Sequence, residues 1–291
     1  MHPIIVNFSL DQAASSMPPR FTPSDIAQAL GVRSATHLGT GGFGDTWLLE
    51  DGEGRKVAKV LYEPNYPFAY LRREVEGLRR AASPRVVDLL GVKLVQFSDG
   101  PRVVLFFEHI QGKDVLARLR EGDWPSEPEA LTFAVGLLEG LAALHAQEAV
   151  HRDLKPANIA LRDSGWGEPV ILDLGLAKLL DEPSVTSYPA VMGTAPYMAP
   201  EQLRGDRARK SADLWAAGVV LHLLLAREHP FYDHERLDQD TAVARLLQGP
   251  RPLPASVGEP LRSLTTRLLS PKPHERGSAA RALRELEVVR G

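Results

Sequence analysis

From Leu38 onward, apolar and polar positions alternate in short runs separated by glycine-rich turns, the period of two expected of half-buried strands. Leu38–Leu48 reads as strand, glycine turn, strand. Asp51-Gly52-Glu53-Gly54 forms a second turn, and Lys56–Leu61 a third strand with Val57, Lys59 and Leu61 on one face. Leu71, Val75 and Leu78 then recur at helical spacing, and two further apolar segments, Val86–Val95 and Val103–Phe107, would complete a small sheet. After Gly112 the period becomes helical, over Ala130–His145, Ser211–Leu225, Asp240–Leu247, Glu259–Leu269 and Ser278–Val289. A β-rich first third followed by a helical remainder predicts an α+β protein with two lobes.

Residues 1–32 lack a clear period and mix apolar residues with Ser, Pro and Gln. Thr22-Pro23-Ser24 would cap a short helix from Asp25 to Leu30, with Gly31 stopping it. The segment reads either as a loosely packed extension or as a docking or dimerisation arm.

Composition narrows the classes of function. The 291 residues carry 34 Lys and Arg against 37 Asp and Glu, a net charge of −3, so there is no overall basic field for nucleic acid or an anionic membrane. Cysteine is absent, which excludes a disulfide framework, a thiolate zinc site and a cysteine nucleophile. The apolar run Gly218–Ala226 is interrupted by His222 and too short to span a bilayer. The N-terminus has no Lys or Arg before its apolar residues, unlike a secretory signal, and a cytoplasmic location is expected.

Candidate chemistry begins at Gly39-x-Gly41-x-x-Gly44. This pattern also satisfies a dinucleotide-binding fingerprint, but that fingerprint needs a helix directly after the glycines, and here a strand, a turn and another strand follow. A Walker A loop is excluded because Asp45 follows Gly44 where Gly-Lys-Ser/Thr would be required. What remains is a β-hairpin flap whose glycines let backbone N–H groups approach phosphates.

With the flap followed by Lys56-Val57-Ala58-Lys59-Val60-Leu61, the sequence resembles the protein kinase family. The resemblance implies a two-lobed kinase fold: an extension over 1–32, a small β-rich N-lobe with the hinge over 33–110, and a larger helical C-lobe over 111–291. It implies Lys59 as the lysine on the α- and β-phosphates of ATP, since Lys56 points to the opposite face. Glu74 is the best candidate for its carboxylate partner, because Glu76 lies about 200° away on a helix. Leu38, Gly39, Gly41, Gly42, Gly44 and Thr46 would line the nucleotide from the flap side.

His151-Arg152-Asp153-Leu154-Lys155-Pro156-Ala157-Asn158 fits the family's H-R-D-L-K-P-x-N loop in every defined position. The resemblance implies Asp153 as the base or orienter for the acceptor hydroxyl, Lys155 near the γ-phosphate, and Asn158 as a metal ligand. The Lys-Pro form is that of serine/threonine kinases. Val170-Ile171-Leu172-Asp173-Leu174-Gly175 supplies Asp173 as the second ligand, and an oxygen-only site of this kind suits Mg²⁺, with Mn²⁺ as an alternative. Gly193-Thr194-Ala195-Pro196-Tyr197-Met198-Ala199-Pro200-Glu201 resembles the acceptor platform of serine/threonine protein kinases. Asp213-Leu214-Trp215 matches the helix that anchors the catalytic loop, and Arg276 is the expected buried partner of Glu201.

The resemblance further implies Arg152 as the receiver of an activating phosphate, with Thr186 the first choice of site and Thr194 hydrogen-bonding near Asp153. Phe107 would be the gatekeeper residue, and the backbone of Glu108-His109-Ile110 would bind adenine. Thr46 and Ala160 stand where larger apolar residues are usual, and the lost contact would weaken adenine binding by about 1 kcal/mol. The expected activity is ATP-dependent phosphorylation of Ser or Thr on protein substrates. The alternatives are a nucleotide-binding pseudokinase scaffold, against which Lys59, Asp153, Asn158 and Asp173 weigh, and a small-molecule kinase, against which Gly193–Glu201 and Arg276 weigh.

Overall fold

The computed structural model describes residues 5–8, 10, 18–41, 44–52, 54–63, 83–173 and 195–290. The chain divides into two compact units, one of residues 13–82 and 87–109, the other of residues 1–12, 83–86 and 110–291.

The first unit is built on an antiparallel five-stranded sheet. Its strands are β2 (Ser34–Thr40), β3 (Gly44–Asp51), β4 (Gly54–Leu61), β5 (Leu89–Phe97) and β6 (Gly100–Glu108), in the order β2-β3-β4-β6-β5. Along β3, Trp47 and Leu49 point to one face, where they join Ala58 and Val60 of β4 in a core. Helix α1 (Pro23–Leu30) covers that face, with Ile26 fully buried and Phe21 stacked on Phe97 at 4.5 Å. The helix forms where its caps predict. Thr22 and Asp25 make a reciprocal capping box, and Gly31 closes the other end at φ 66°, a conformation that favours glycine. Phe21 and Ile26 therefore belong to the core, with Ala27, Ala29, Leu30 and Val32 packed against it, which corrects the loose extension over this stretch; so short a helix buries too few residues to show a period.

Among the described residues, the second unit holds every helix but α1: α2 (Val115–Arg120), α3 (Glu127–Ala146), α4 (Pro200–Leu203), α5 (Lys210–Ala226), α6 (Gln239–Leu247), α7 (Glu259–Leu268) and α8 (Ala279–Arg290). It also carries two small pairings, β7 (Ile159–Leu161) with β8 (Pro169–Ile171), and β1 (Ile5–Asn7) with β9 (Arg236–Asp238). Helix α3 is long and apolar enough to cross a bilayer by length and composition, but it buries Phe133, Leu137, Leu138, Leu141 and Leu144 inside the unit. Gly136 and Gly140 let the chain approach closely, since a Cβ at either would stand 2.8 Å from Pro169 or Arg85. Helix α5 is buried through most of its length around Trp215.

Two expectations change here. Val86 does not enter the sheet; it bridges to Ile171 in the helical unit, where the Arg85 carbonyl accepts from the Ile171 N–H at 2.8 Å. The first residues do not hang loose either, because Val6 and Phe8 are buried.

Candidate active site

Within the sheet unit, strand register positions the candidate residues. Thr46 and Lys59 are direct cross-strand partners on β3 and β4, so their side chains share one face, opposite the one covered by α1. Lys59 is buried, at 6% exposure, whereas Lys56 sits on the other face and pairs with Asp51 at 3.6 Å. A β-bulge between His37 and Gly39 leaves Leu38 as the extra residue and turns it outward, half exposed. The glycines divide into two kinds. A Cβ at Gly44 would stand 2.2 Å from the Val60 carbonyl oxygen, so close strand packing alone demands glycine there. At Gly39 a Cβ would meet nothing within 4 Å, and no positive φ requires glycine. Packing does not account for glycine at that position.

Asp45, directly after the flap, was not singled out from the sequence. It is 1% exposed and accepts from the Arg20 N–H at 2.9 Å, the Thr40 hydroxyl at 2.8 Å and the Tyr62 hydroxyl at 2.7 Å. Thr40 and Asp45 face each other across the base of the hairpin, so one carboxylate ties both limbs of the flap to residue 20 and to the chain after β4. Burial, and the Asp45 carboxylate next, push the Tyr62 hydroxyl well above its ordinary pKa, so it stays a donor. The signal was legible: Asp45 is in phase with Trp47 and Leu49 on the core face.

At the end of the sheet, Phe107 is buried, and the Glu108 N–H donates to the Asp88 carbonyl at 2.9 Å while the Asp88 N–H donates to the Glu108 carboxylate. His109 is held below its usual pKa, chiefly by burial.

In the helical unit, His151–Asn158 is placed by a hydrogen-bond network. The buried Asp213 carboxylate of α5 accepts from the N–H groups of His151 and Arg152 at 2.9 and 2.8 Å, and from His145 Nε2 at 2.9 Å. This holds Arg152 at φ 67°, a strained conformation for a residue with a side chain. Histidine 151 accepts the Asp153 N–H on Nδ1 at 3.3 Å and donates from Nε2 to the Leu172 carbonyl at 2.7 Å, which fixes its tautomer. The Leu172 N–H donates to the Asn158 carbonyl at 2.9 Å. Both backbone groups of Leu172 are thus tied to the loop, and Asp173 follows at φ 57°.

Asp153 is clasped from two sides. Lys155 Nζ lies 2.9 and 3.1 Å from its two carboxylate oxygens, and Asn158 Nδ2 donates to its carbonyl at 2.7 Å and to Oδ2 at 3.1 Å. Asn158 faces Asp153 with its nitrogen, so its Oδ1 remains for a cation. Among the described residues, no cluster of three or more His, Asp or Glu could hold a metal by itself. Asn158 and Asp173 fit a hard divalent cation whose remaining ligands are phosphate or water. Ala160 is buried on β7, opposite Val170, and Ile110 is buried at the start of this unit.

Arg276 is fully buried in the unit and makes a bidentate pair with Glu201, at 2.6 and 3.0 Å. It also donates to the carbonyls of Ser270 and Ser211, and it lies 4.9 Å over Trp215. Of the other expected site residues, Gly42, Glu74, Thr186 and Thr194 lie outside the described residues.

Residues 32–286 match the protein kinase domain. Serine/threonine-protein kinase PkaA of Streptomyces coelicolor is 32% identical over 87% of this chain and 48% of its own length. Serine/threonine-protein kinase Pkn1 of Myxococcus xanthus is 34% identical over 94% of this chain and 41% of its own. Serine/threonine-protein kinase D3 of Homo sapiens is 29% identical over 89% and 29%. The chain belongs to the protein kinase domain family, with the bilobal α+β fold. It spans about half the length, or less, of the curated relatives it matches. Family membership implies use of ATP with a divalent metal ion.

Proposed function

We propose that this chain transfers the γ-phosphoryl group of ATP to Ser or Thr hydroxyls of proteins. The observation that carries the reading is the clasped Asp153, held between Lys155 and Asn158 on a loop whose backbone is fixed from Asp213. The acceptor hydroxyl approaches the Asp153 carboxylate, which takes its proton as the new O–P bond forms. The bond from the γ-phosphorus to the bridging oxygen breaks, and ADP leaves. Lys155 stands beside Asp153 and offsets charge on the transferring group. Lys59, for which Glu74 is the expected partner, would hold the α- and β-phosphates under the N–H groups of the flap. Asn158 and Asp173 would hold the cation, Mg²⁺ in preference to Mn²⁺, which would supply neutralisation of phosphate charge. Positioning and charge neutralisation supply most of the rate in chemistry of this type.

Autophosphorylation at Thr186 belongs to the same proposal. Arg152 precedes Asp153, and a phosphate carrying about −1.5 to −2 charges would pair with it through charge-assisted hydrogen bonds. Incubation with Mg²⁺ and ATP, followed by peptide mass spectrometry, tests both parts. Transfer to an added protein, abolished in Asp153→Asn, supports the activity. Absence of transfer by the unaltered chain at any acceptor sinks it, and an unmodified Thr186 in active enzyme sinks the switch alone.

A further inference from the structure

The turn Ala195–Tyr197, inside the segment read as the acceptor platform, is buried and is gripped by one histidine. His229 donates from Nε2 to the Pro196 carbonyl at 3.1 Å. Its Nδ1 accepts from the N–H groups of Phe231 and Tyr232 at 3.2 and 3.1 Å, so the ring proton must sit on Nε2 and point at Pro196. The ring is 1% exposed, and burial holds its pKa down to about 3, keeping it neutral.

An aromatic cage surrounds this ring. Tyr232 stacks on it at 5.0 Å, Tyr197 meets it edge-on at 6.0 Å, and Phe8 packs at 4.5 Å. Phe8 comes from the far end of the sequence. It is delivered by β1, whose Val6 is fully buried opposite Leu237 of β9. One wall of the cage therefore depends on the first eight residues, and the strand that supplies it packs against the Ala195–Tyr197 turn itself.

We propose that His229 and Phe8 are positioning residues for the protein acceptor. The N-terminal strand closes the cage, the cage aims His229, and His229 sets the place of the turn that the acceptor meets. The inference rests on reading Gly193–Glu201 as the acceptor platform. Neither residue touches nucleotide chemistry, so their effect falls on acceptor affinity and not on ATP.

Phe8→Ala and the conservative Phe8→Leu, made in the full chain, separate this from a merely structural role. In Phe8→Ala the KM for a protein acceptor should rise about three- to tenfold, the range expected for losing one aromatic partner, with the KM for ATP unchanged. Phe8→Leu should recover most of the loss. Hydrogen–deuterium exchange over residues 195–203 should quicken in Phe8→Ala, beginning at the Met198 N–H that bonds the Ala195 carbonyl at 3.2 Å. Unchanged exchange, faster exchange with an unchanged acceptor KM, or equal rises in both KM values would each overturn the proposal. If the unaltered chain transfers no phosphoryl group, the functional reading fails, while the exchange comparison still decides whether Phe8 supports the turn.

Discussion

The two units place their candidate residues by different means. In the sheet unit, backbone pairing aligns Thr46 with Lys59, and any side chain at either position would still share that face. In the helical unit, Asp153, Asn158 and Asp173 depend on particular side chains elsewhere: Asp213 far along the chain, His145 near the end of α3, and His151 within the loop. Placement by register tolerates substitution. Placement by a buried polar network does not, because each lost partner leaves a desolvated donor or acceptor behind.

The comparison can be broken at several points. The largest effect should come from Asp153→Asn or Asp173→Asn, each lowering kcat by about 10²–10⁴-fold with circular dichroism and melting unchanged. Robust turnover in either would undo the roles assigned to the loop. Arg276→Ala should destabilise the helical unit by about 3–5 kcal/mol in denaturant titration, since it strands Glu201 beside a buried gap. A loss below roughly 1 kcal/mol would mean that the pair behaves as an exposed one.

Asp213→Asn should cost about 1.5–3 kcal/mol and lower kcat, because the amide keeps only one of two accepting oxygens. It should leave the KM for ATP nearly unchanged. Acidification probes the same unit more gently. His229 has a folded pKa of about 3, well below its unfolded value, and His222 is shifted the same way by burial. The unfolded chain then binds more protons below the ordinary histidine pKa. The stability from His229 is therefore complete above about pH 6.5 and declines as pH falls toward 3, by about 1.4 kcal/mol per unit. Denaturant midpoints for the unaltered chain and His229→Asn should converge as pH falls through that window. The smallest effect belongs to the sheet: Thr46→Val should change stability by no more than about 0.5 kcal/mol. A larger change would show that this face of the sheet relies on side-chain bonds, as the Asp45 face does.

Much of this was legible in the sequence, for reasons that differ by element. The strings at 151–158 and 213–218 carry so many constrained positions that their residues stand out without any structure. Long helices such as α3 and α5 announce themselves by length and apolar content, and the Thr22 and Gly31 caps located α1 to within two residues. Short elements were lost. β1 has three residues and pairs with a partner more than two hundred positions away, so no local period could reveal it. Helix α2 was missed for the same reason, although Asp114 caps it by accepting the Ala117 N–H at 2.9 Å. Val86 fits an apolar strand pattern but is claimed by Ile171, a choice made by tertiary pairing and not by propensity.

The buried carboxylate of Asp45 bears on where the protein can be cut. The stretch shared with other kinases begins at residue 32, but the unit that folds begins earlier. A fragment trimmed to the shared boundary would lose Phe21 and Ile26 from the core, and with them the Arg20 amide that satisfies one oxygen of Asp45. The flap would then be tethered to a half-satisfied anion facing a newly opened apolar surface. Heredity and folding mark different edges on this chain: the sheet unit draws on residues from 20 onward, and the helical unit on Val6 and Phe8 as well.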